Sequence, residues 1–240
     1  MKVDLLAIVA HPDDAELCCS GTLIKHQQAG YKTGIVDLTQ GELGSRGNRK
    51  TRMKEAKESS EILNLSYRKS LDLGDGTFQN NHDYRLPIIQ QIRHLKPEIV
   101  ITNAISDRHP DHGRAAKLVA DACYFSGLVK IETQLDGEGQ NAWRPKMVWH
   151  MLQDHYHKPD VVVDITEYWE QRMNSVTAFS TQFFSEDDDD TSIQTPISGE
   201  RFFHFLEGRA REMGRFIDVE YAEGFVKSRP VGVEDLFVLS

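Results

Sequence analysis

The sequence predicts an α/β fold in which a mostly parallel sheet carries helices on both faces. Two observations support this prediction. Residues 3–10 and 98–102 form almost continuous apolar runs, which are typical of strands covered on both faces. Strand-like and helix-like patterns also alternate through the first half of the chain, as they do in folds built from parallel strands and crossover helices.

The helices and strands of the first half are predicted from the spacing of apolar residues and from glycine and proline residues that mark their ends. After the first strand, the helical pattern over residues 15–29 puts Leu17, Leu23 and Ile24 on one side and ends at Gly30, a residue type favoured after helix C-termini. The remaining patterns predict a strand at 33–38, a helix at 52–63, a weaker strand at 66–73, a helix at 86–95, a strand at 98–102 after Pro97, and a helix at 113–124.

The second half is less regular. Its patterns predict strands at 146–151 and 161–165 and helices at 167–180 and 200–216. Residues 185–198, with four consecutive aspartates, predict an acidic surface loop. No internal repeat or flexible linker divides the chain, so we expect a single domain over residues 1–240.

Composition excludes several classes of partner. The formal net charge of −9 argues against a nucleic acid, because phosphate contacts need a positive surface. No apolar run approaches the roughly 20 residues of a membrane span. The three cysteines form neither a CxxC pair nor an even disulfide set. We therefore expect reduced thiols, a cytoplasmic location and no membrane partner.

Two short segments follow buried strands and carry the same residue types. His11, Asp13 and Asp14 come directly after the first strand, and a second His-Pro-Asp segment, residues 109–112, follows the strand at 98–102. In an open parallel sheet, ligands bind beyond the carboxyl ends of the strands. Imidazole and carboxylate groups are the ligands that zinc and related divalent metals prefer. A metal site at this edge of the sheet is the prediction.

Two motifs, AHPDDAE at residues 10–16 and HPDH at residues 109–112, together form a specific signature. On these motifs the chain resembles the LmbE-like, or PIG-L, deacetylases. Further matching blocks occur in the expected order, so that the resemblance covers nearly the whole chain: GELGSRG at 41–47 with TRxxE at 51–55, VVDIT at 162–166, and YAEGF at 221–225. Within the family, the chain looks like the branch that deacetylates N-acetylglucosaminyl-malate in bacillithiol synthesis.

The resemblance implies roles for individual residues. It makes His11, Asp14 and His112 the ligands of one metal ion, taken as zinc, although iron, cobalt and manganese accept the same set. It makes Asp13 the general base and His109 the group that stabilises the oxyanion or protonates the amine. The remaining implied roles belong to Asp111, which would orient that histidine, and to Arg52, which would contact substrate. Arg108 precedes the second His-Pro-Asp segment and could contact substrate as well.

The chemistry of amide hydrolysis agrees with these roles. A bound divalent metal lowers the pKa of water from 15.7 to about 7 and polarises the carbonyl. A carboxylate that does not ligate is then needed as a base, and Asp13 stands beside Asp14. Arg52 suits a substrate carboxylate, but it could instead pair with Glu55 on its own helix. For Arg46 both readings stay open.

These inferences predict a metal-dependent N-deacetylase that removes the acetyl group of N-acetylglucosaminyl-malate through metal-activated water. Two alternatives remain. One is a deacetylase of another N-acetylglucosamine derivative, such as chitobiose, and the other is a catalytically silent sugar-binding protein. The substrate partner is a small sugar, and the resemblance implies a Rossmann-like fold and a hexamer. A second histidine-rich stretch, residues 150–157, matches no block of the family.

Overall fold

The computed structural model describes residues 1–183 and 195–238 and confirms the predicted α/β class. Its strands are β1 (Leu5–Val9), β2 (Thr33–Asp37), β3 (Tyr67–Ser70), β4 (Ile99–Thr102), β5 (Gln134–Leu135), β6 (Glu138–Gly139), β7 (Met147–Met151), β8 (Val161–Asp164) and β9 (Ala222–Lys227). Its helices are α1 (Asp14–Cys18), α2 (Ser20–Gln28), α3 (Arg49–Ile62), α4 (His82–Leu95), α5 (Pro110–Phe125), α6 (Trp169–Thr177) and α7 (Glu200–Arg215), with short 3-10 turns at Thr166–Tyr168 and Leu236–Val238.

The central sheet has the strand order β3-β2-β1-β4-β7-β9-β8, and β5 and β6 form a separate hairpin. The first five of these strands are parallel to one another, and β9 runs antiparallel to both of its neighbours. From β1 the chain proceeds outward through β2 and β3, and it then returns to place β4 on the other side. The crevice between β1 and β4 is therefore the switch point at which ligands bind in open α/β sheets.

Helices cover both faces of the sheet because the side chains of each strand alternate between them. In β1, Leu6 and Ile8 join the apolar cluster formed with α4 and α5, while Ala7 and Val9 join the cluster formed with α1 and α2. All four are fully buried. Burying one Leu or Ile contributes about 1.5–3 kcal/mol, so the continuous apolar run of β1 anchors the sheet from both sides.

Three local predictions need correction. The helix expected over residues 15–29 is broken at Cys19, whose φ of −146° is not helical. Helix α4 begins earlier than expected, because the Asn81 side chain accepts hydrogen bonds from Asp83 N and Tyr84 N and caps its first turn. The segment YAEGF was not predicted as a strand, yet β9 pairs with both β7 and β8.

Two further observations concern expectations from the sequence. None of the described helices has a stretch long and apolar enough to cross a membrane. Most of the acidic loop expected at 185–198, including its four aspartates, lies outside the described residues.

A buried carboxylate on β9 closes the N-terminal end of α2. Glu223 accepts hydrogen bonds from Gly21 N over 3.0 Å and from Thr22 N over 2.7 Å. Arg172 Nε donates to the same carboxylate over 3.2 Å, and its Nη2 donates to Leu17 O. Since the first N–H groups of a helix lack partners within the helix, Glu223 supplies the partners that α2 needs.

We expect Glu223→Ala to lower the free energy of unfolding by about 3–5 kcal/mol, because it leaves the buried Arg172 without its counter-charge. Urea denaturation followed by circular dichroism measures this change. Glu220→Ala is the matched control, because Glu220 is exposed and pairs with Arg211 at the surface. Equal unfolding midpoints for the two variants would contradict the structural role given to Glu223.

Candidate metal centre and active site

The side chains of interest lie at the carboxyl ends of β1 and β4. The turn at residues 10–13 connects β1 to α1, and residues 103–109 connect β4 to α5. Helix α5 begins at Pro110, whose fixed φ suits the first helical position and whose missing N–H costs nothing there. The two His-Pro-Asp segments predicted to meet at this edge do face each other.

His11, Asp14 and His112 come together as the sequence predicts. His112 Nε2 lies 3.0 Å from Asp14 Oδ1, and His11 Nδ1 lies 3.5 Å from Asp14 Oδ2. The centroids of the two imidazole rings are 5.6 Å apart. One ring nitrogen of each histidine thus lies close to the Asp14 carboxylate, and imidazole and carboxylate are the donor types of divalent metal sites.

Carboxylates hold the far ring nitrogens of both histidines. Asp107 Oδ2 lies 2.6 Å from His112 Nδ1, and Asp75 Oδ1 lies 3.1 Å from His11 Nε2. Metal-binding histidines almost always engage a carboxylate, a carbonyl or water through the nitrogen that does not ligate. His112 Nε2 and His11 Nδ1 remain directed at Asp14, so the residues present fit a bound divalent cation.

The charges of this cluster favour a cation. Burial disfavours the charged imidazole of His112, but Asp14 and Asp107 outweigh it and raise its pKa to about 9. Burial likewise opposes ionisation of Asp14, yet His112 and His11 hold the pKa of Asp14 well below its usual value. The carboxylates that retain protons on these imidazoles would equally stabilise a metal ion in place of those protons.

Two amide side chains that the sequence reasoning missed fix the Asp14 carboxylate. Asn103 Nδ2 donates to Asp14 Oδ2 over 2.9 Å, and Gln153 Nε2 donates to Asp14 Oδ1 over 3.1 Å. The backbone N–H of His11 donates to Asp14 Oδ2 over 3.0 Å. Gln153 is itself held, since its Oε1 accepts from Asn103 Nδ2 and from Ala104 N. Both oxygens of Asp14 therefore have fixed directions.

Asp13 has an unusual backbone and a separate environment. Its φ of 124° is rare for a residue with a side chain, and such strain costs on the order of 1–3 kcal/mol and is concentrated at functional sites. The Asp13 carboxylate lies 3.2 Å from Arg52 Nη2. Burial raises the pKa of Asp13 to about 7, although the charge of Arg52 opposes this shift. A carboxyl with a pKa near neutrality suits general base catalysis.

His109 lies beside the expected ligands, with its ring centroid 4.8 Å from that of His11 and 5.1 Å from that of His112. Its Nδ1 accepts a hydrogen bond from the backbone N–H of Asp111 over 3.2 Å. Burial and the two neighbouring imidazoles lower the pKa of His109. The geometry thus favours a neutral ring with its proton on Nε2.

The Asp111 side chain has other partners than the one expected. Instead of orienting the ring of His109, its carboxylate accepts from Gly76 N over 2.8 Å, pairs with Arg114, and lies 3.4 Å from His11 Nε2. The reason is its place in the first turn of α5, where only its backbone N–H faces His109. Asp111 acts on His11, together with Asp75.

Two groups of closely spaced possible ligands among the described residues contain His11, and neither of them contains Asp14. The ligand atoms of His11, His109 and His112 lie within 4.8 Å of one another, as do those of His11, Asp75 and Asp111. The second group surrounds His11 Nε2, on the side of the ring away from Asp14. The first keeps both histidines of the predicted set and replaces the carboxylate with His109.

The three predicted arginines have different positions. Arg52 lines the cavity beside the metal cluster, where its Nη2 also donates to Pro12 O over 2.8 Å. Arg108 lines the same cavity and pairs with Asp154. Arg46 is buried and is absent from the described lining of this cavity. Arg52 contacts Asp13, and no contact with Glu55 replaces it among the described ion pairs.

A cavity of about 310 Å³ contains the cluster. One side carries the histidines and carboxylates described above. The apolar part of the lining includes Leu43 and residues from α7 and the segment before it, namely Ile197, Phe202, Phe205 and Leu206. Small-molecule sites of about 300–1,000 Å³ typically combine such an apolar lining with a few convergent polar groups.

A model of the PIG-L family, described as GlcNAc-PI de-N-acetylase, matches residues 6–123. This span runs from β1 to α5 and includes both His-Pro-Asp segments.

Three characterised or curated proteins illustrate the relationship. Diacetylchitobiose deacetylase of Thermococcus kodakarensis is 29% identical over 189 residues, which are 75% of this chain and 70% of that protein. The 4-oxalmesaconate hydratase of Pseudomonas putida is 25% identical over 193 residues, 74% of this chain and 73% of that protein. A probable N-acetyl-alpha-D-glucosaminyl L-malate deacetylase of Bacillus anthracis is 31% identical over 134 residues, 49% of this chain and 58% of that protein.

Among solved structures, a conserved protein of Thermus thermophilus shares the fold along its length. Its TM-score is 0.83 at 35% sequence identity, and the match covers 96% of this chain and 97% of that one.

Proposed function

Since the chain belongs to the PIG-L family, the LmbE-like deacetylases, we propose that it is a metal-dependent hydrolase that removes the N-acetyl group of an N-acetylglucosamine conjugate. One observation carries this proposal: a His-Asp-His cluster shares a cavity with a further carboxylate, Asp13, that pairs with Arg52. A sugar-binding protein needs at most the metal donors, whereas hydrolysis needs the metal donors and a carboxylate that can act as a base.

We assign the metal, which we take to be zinc, to His11, Asp14 and His112. A bound divalent metal supplies a Lewis acid that polarises the acetyl carbonyl and lowers the pKa of water. The fixed amide contacts of Asp14 and the carboxylate contacts of both imidazoles support this assignment, because outer partners orient ligands and tune their basicity.

Asp13 serves as general base in this proposal. Its carboxylate accepts the proton of the attacking water and passes it to the departing amine. The Arg52 guanidinium holds the carboxylate in place from one side, and burial keeps its pKa near the range in which a base both accepts and returns a proton.

His109 serves as the donor to the developing oxyanion. With Nδ1 accepting from a backbone N–H, its Nε2–H is available to the tetrahedral intermediate. A positioned hydrogen-bond donor of this kind typically contributes about 2.7–4 kcal/mol to transition-state stabilisation. Asp111 and Asp75 act indirectly, through His11.

Two substrates fit this chemistry: the malate conjugate expected from the sequence, and a neutral disaccharide of the chitobiose type. The state of the arginines favours the disaccharide. Among the described residues that line the catalytic cavity, Arg52 is engaged by Asp13, Arg108 is engaged by Asp154, and Arg209 donates to backbone carbonyls. The charges of Arg52 and Arg108 are therefore each already paired with a carboxylate, which disfavours a substrate that brings two further carboxylates.

The proposal predicts acetate release from an N-acetylated sugar by the zinc-loaded protein. The experiment compares N-acetylglucosaminyl-malate, N,N′-diacetylchitobiose and N-acetylglucosamine, and we expect the highest kcat/KM for the disaccharide. A preference for the malate conjugate would overturn the substrate choice and restore Arg52 as a carboxylate contact. No acetate from any of the three would contradict the function and favour the silent binding protein.

Two further expectations are predictions that no contact among the described residues supports. The hexamer and the cytoplasmic location are part of the proposal, and sedimentation analysis of the purified protein tests the first of them.

A further inference from the structure

A second cavity, of about 270 Å³, adjoins the catalytic one. It lies between residues 152–157, which follow β7, and the middle of α7. Gln153, Asp154, Phe205 and Arg209 line both cavities, so the two lie side by side. Gln153 also donates to the Asp14 carboxylate, which places the start of the second cavity one side chain away from the predicted metal ligands.

We propose that this second cavity is a binding site for a neutral sugar ring that is linked to the N-acetylated sugar. The proposal rests on the deacetylase function argued above and adds to it the place where the rest of the substrate binds. It also gives a role to the histidine-rich stretch that the sequence left unexplained, since His155 and His157 line this cavity.

Two exposed aromatic rings support a sugar as the occupant. Phe205 is 40% exposed and Tyr156 is 67% exposed, and both line the cavity. Phe205 is held in place, because it stacks on Phe202 with centroids 5.9 Å apart and lies under the Arg209 guanidinium at 5.3 Å. The C–H face of a pyranose packs on such rings, which offer an apolar surface together with a fixed orientation.

The charges of the described lining favour a neutral occupant. Asp154 and Glu212 contribute two carboxylates. The one arginine among these residues, Arg209, donates to Gln153 O over 2.8 Å and to Leu17 O over 2.7 Å. Asp154 is paired with Arg108, so an anionic group would meet the Glu212 carboxylate and a guanidinium that already donates to two backbone carbonyls. The hydroxyl groups of a sugar, in contrast, can donate to carboxylates.

The test separates binding of the second ring from chemistry at the first. We expect Phe205→Ala and Tyr156→Ala each to raise KM for N,N′-diacetylchitobiose by about two- to tenfold. For Tyr156→Ala, whose ring lines only the second cavity, KM for N-acetylglucosamine and kcat for both sugars should stay within about twofold of the parent values. Phe205→Ala should raise KM more for the disaccharide than for the monosaccharide, because this ring lines both cavities. Phe216→Ala is the matched control, because this ring is also exposed but lines neither cavity.

The possible outcomes are distinguishable. Equal KM increases for the monosaccharide and the disaccharide, or no increase for either, would overturn the second site while leaving the deacetylase function intact. If the parent protein releases no acetate, the proposed deacetylase function is wrong. Calorimetric titration with diacetylchitobiose then tests the second sugar site independently of catalysis. Binding that both aromatic variants weaken and Phe216→Ala preserves would support it, and absence of binding to the parent protein would overturn it.

Discussion

An Asp13→Asn variant is expected to keep its bound metal and to lose turnover by about 100- to 10,000-fold, the usual contribution of a general base. The amide cannot accept the proton of the attacking water. It still offers an oxygen to Arg52, whose Nη2 lies 3.2 Å from the present carboxylate. Asparagine is preferred to alanine because alanine would leave the buried guanidinium without any partner on this side.

Metal content by mass spectrometry and kcat by acetate release measure the two parts of this prediction. Asp72→Asn is the matched control, because Asp72 is an exposed carboxylate that pairs with Arg49 outside the catalytic cavity. Loss of metal from Asp13→Asn would make Asp13 a ligand. Retention of full turnover would assign the base to another residue.

His112→Ala is expected to lose both metal and activity. Its Nε2 faces Asp14 at 3.0 Å, and its Nδ1 is held by Asp107 at 2.6 Å. Removal of a partner such as Asp107 typically weakens metal binding by about 10- to 100-fold, so removal of the ligand itself should exceed that range. Asp107→Asn should therefore give an intermediate affinity.

Equilibrium dialysis against zinc measures the graded series, with urea denaturation to verify that each variant is folded. His82→Ala is the control, because His82 is exposed at the start of α4 and distant in sequence from both His-Pro-Asp segments. Stoichiometric zinc in folded His112→Ala would contradict the assignment of this residue as a ligand.

The fold could be predicted where a local pattern determines the element. The apolar runs of β1 and β4 allow no other environment than a sheet covered on both faces. Strand β9 was missed because Glu223 and Gly224 interrupt its apolar residues. Both residues are required by contacts with distant parts of the chain. Glu223 caps α2, and a Cβ at Gly224 would approach Leu152 and Met213 within 3 Å.

The part of the site that could be predicted consists of residues that directly follow a predicted strand in the sequence. Both His-Pro-Asp segments stand next to strands, so their meeting follows from the parallel sheet. The partners that orient them are distant in the chain: Asp75 comes from the loop after β3, and Gln153 comes from the segment after β7. Only the position of Asp75 and Gln153 at the carboxyl edge of the sheet could have indicated that they contact the site. Their spacing in the sequence does not distinguish them from other polar loop residues.

The same limit explains the difference at His109 and Asp111. Adjacent polar residues suggest a contact between their side chains, but the first turn of α5 directs the Asp111 carboxylate toward His11 and Gly76. Because α5 begins at Pro110, the start of this helix sets the backbone conformation of Asp111 and therefore the partners of its carboxylate.

Anomalous X-ray scattering from crystals grown with zinc tests the central claim most directly. The account predicts one peak per chain within about 2.0–2.2 Å of His11 Nδ1, an Asp14 oxygen and His112 Nε2, the usual range for zinc bound to nitrogen and oxygen. A peak among His11 Nε2, Asp75 and Asp111, or no peak in this cavity, would contradict it.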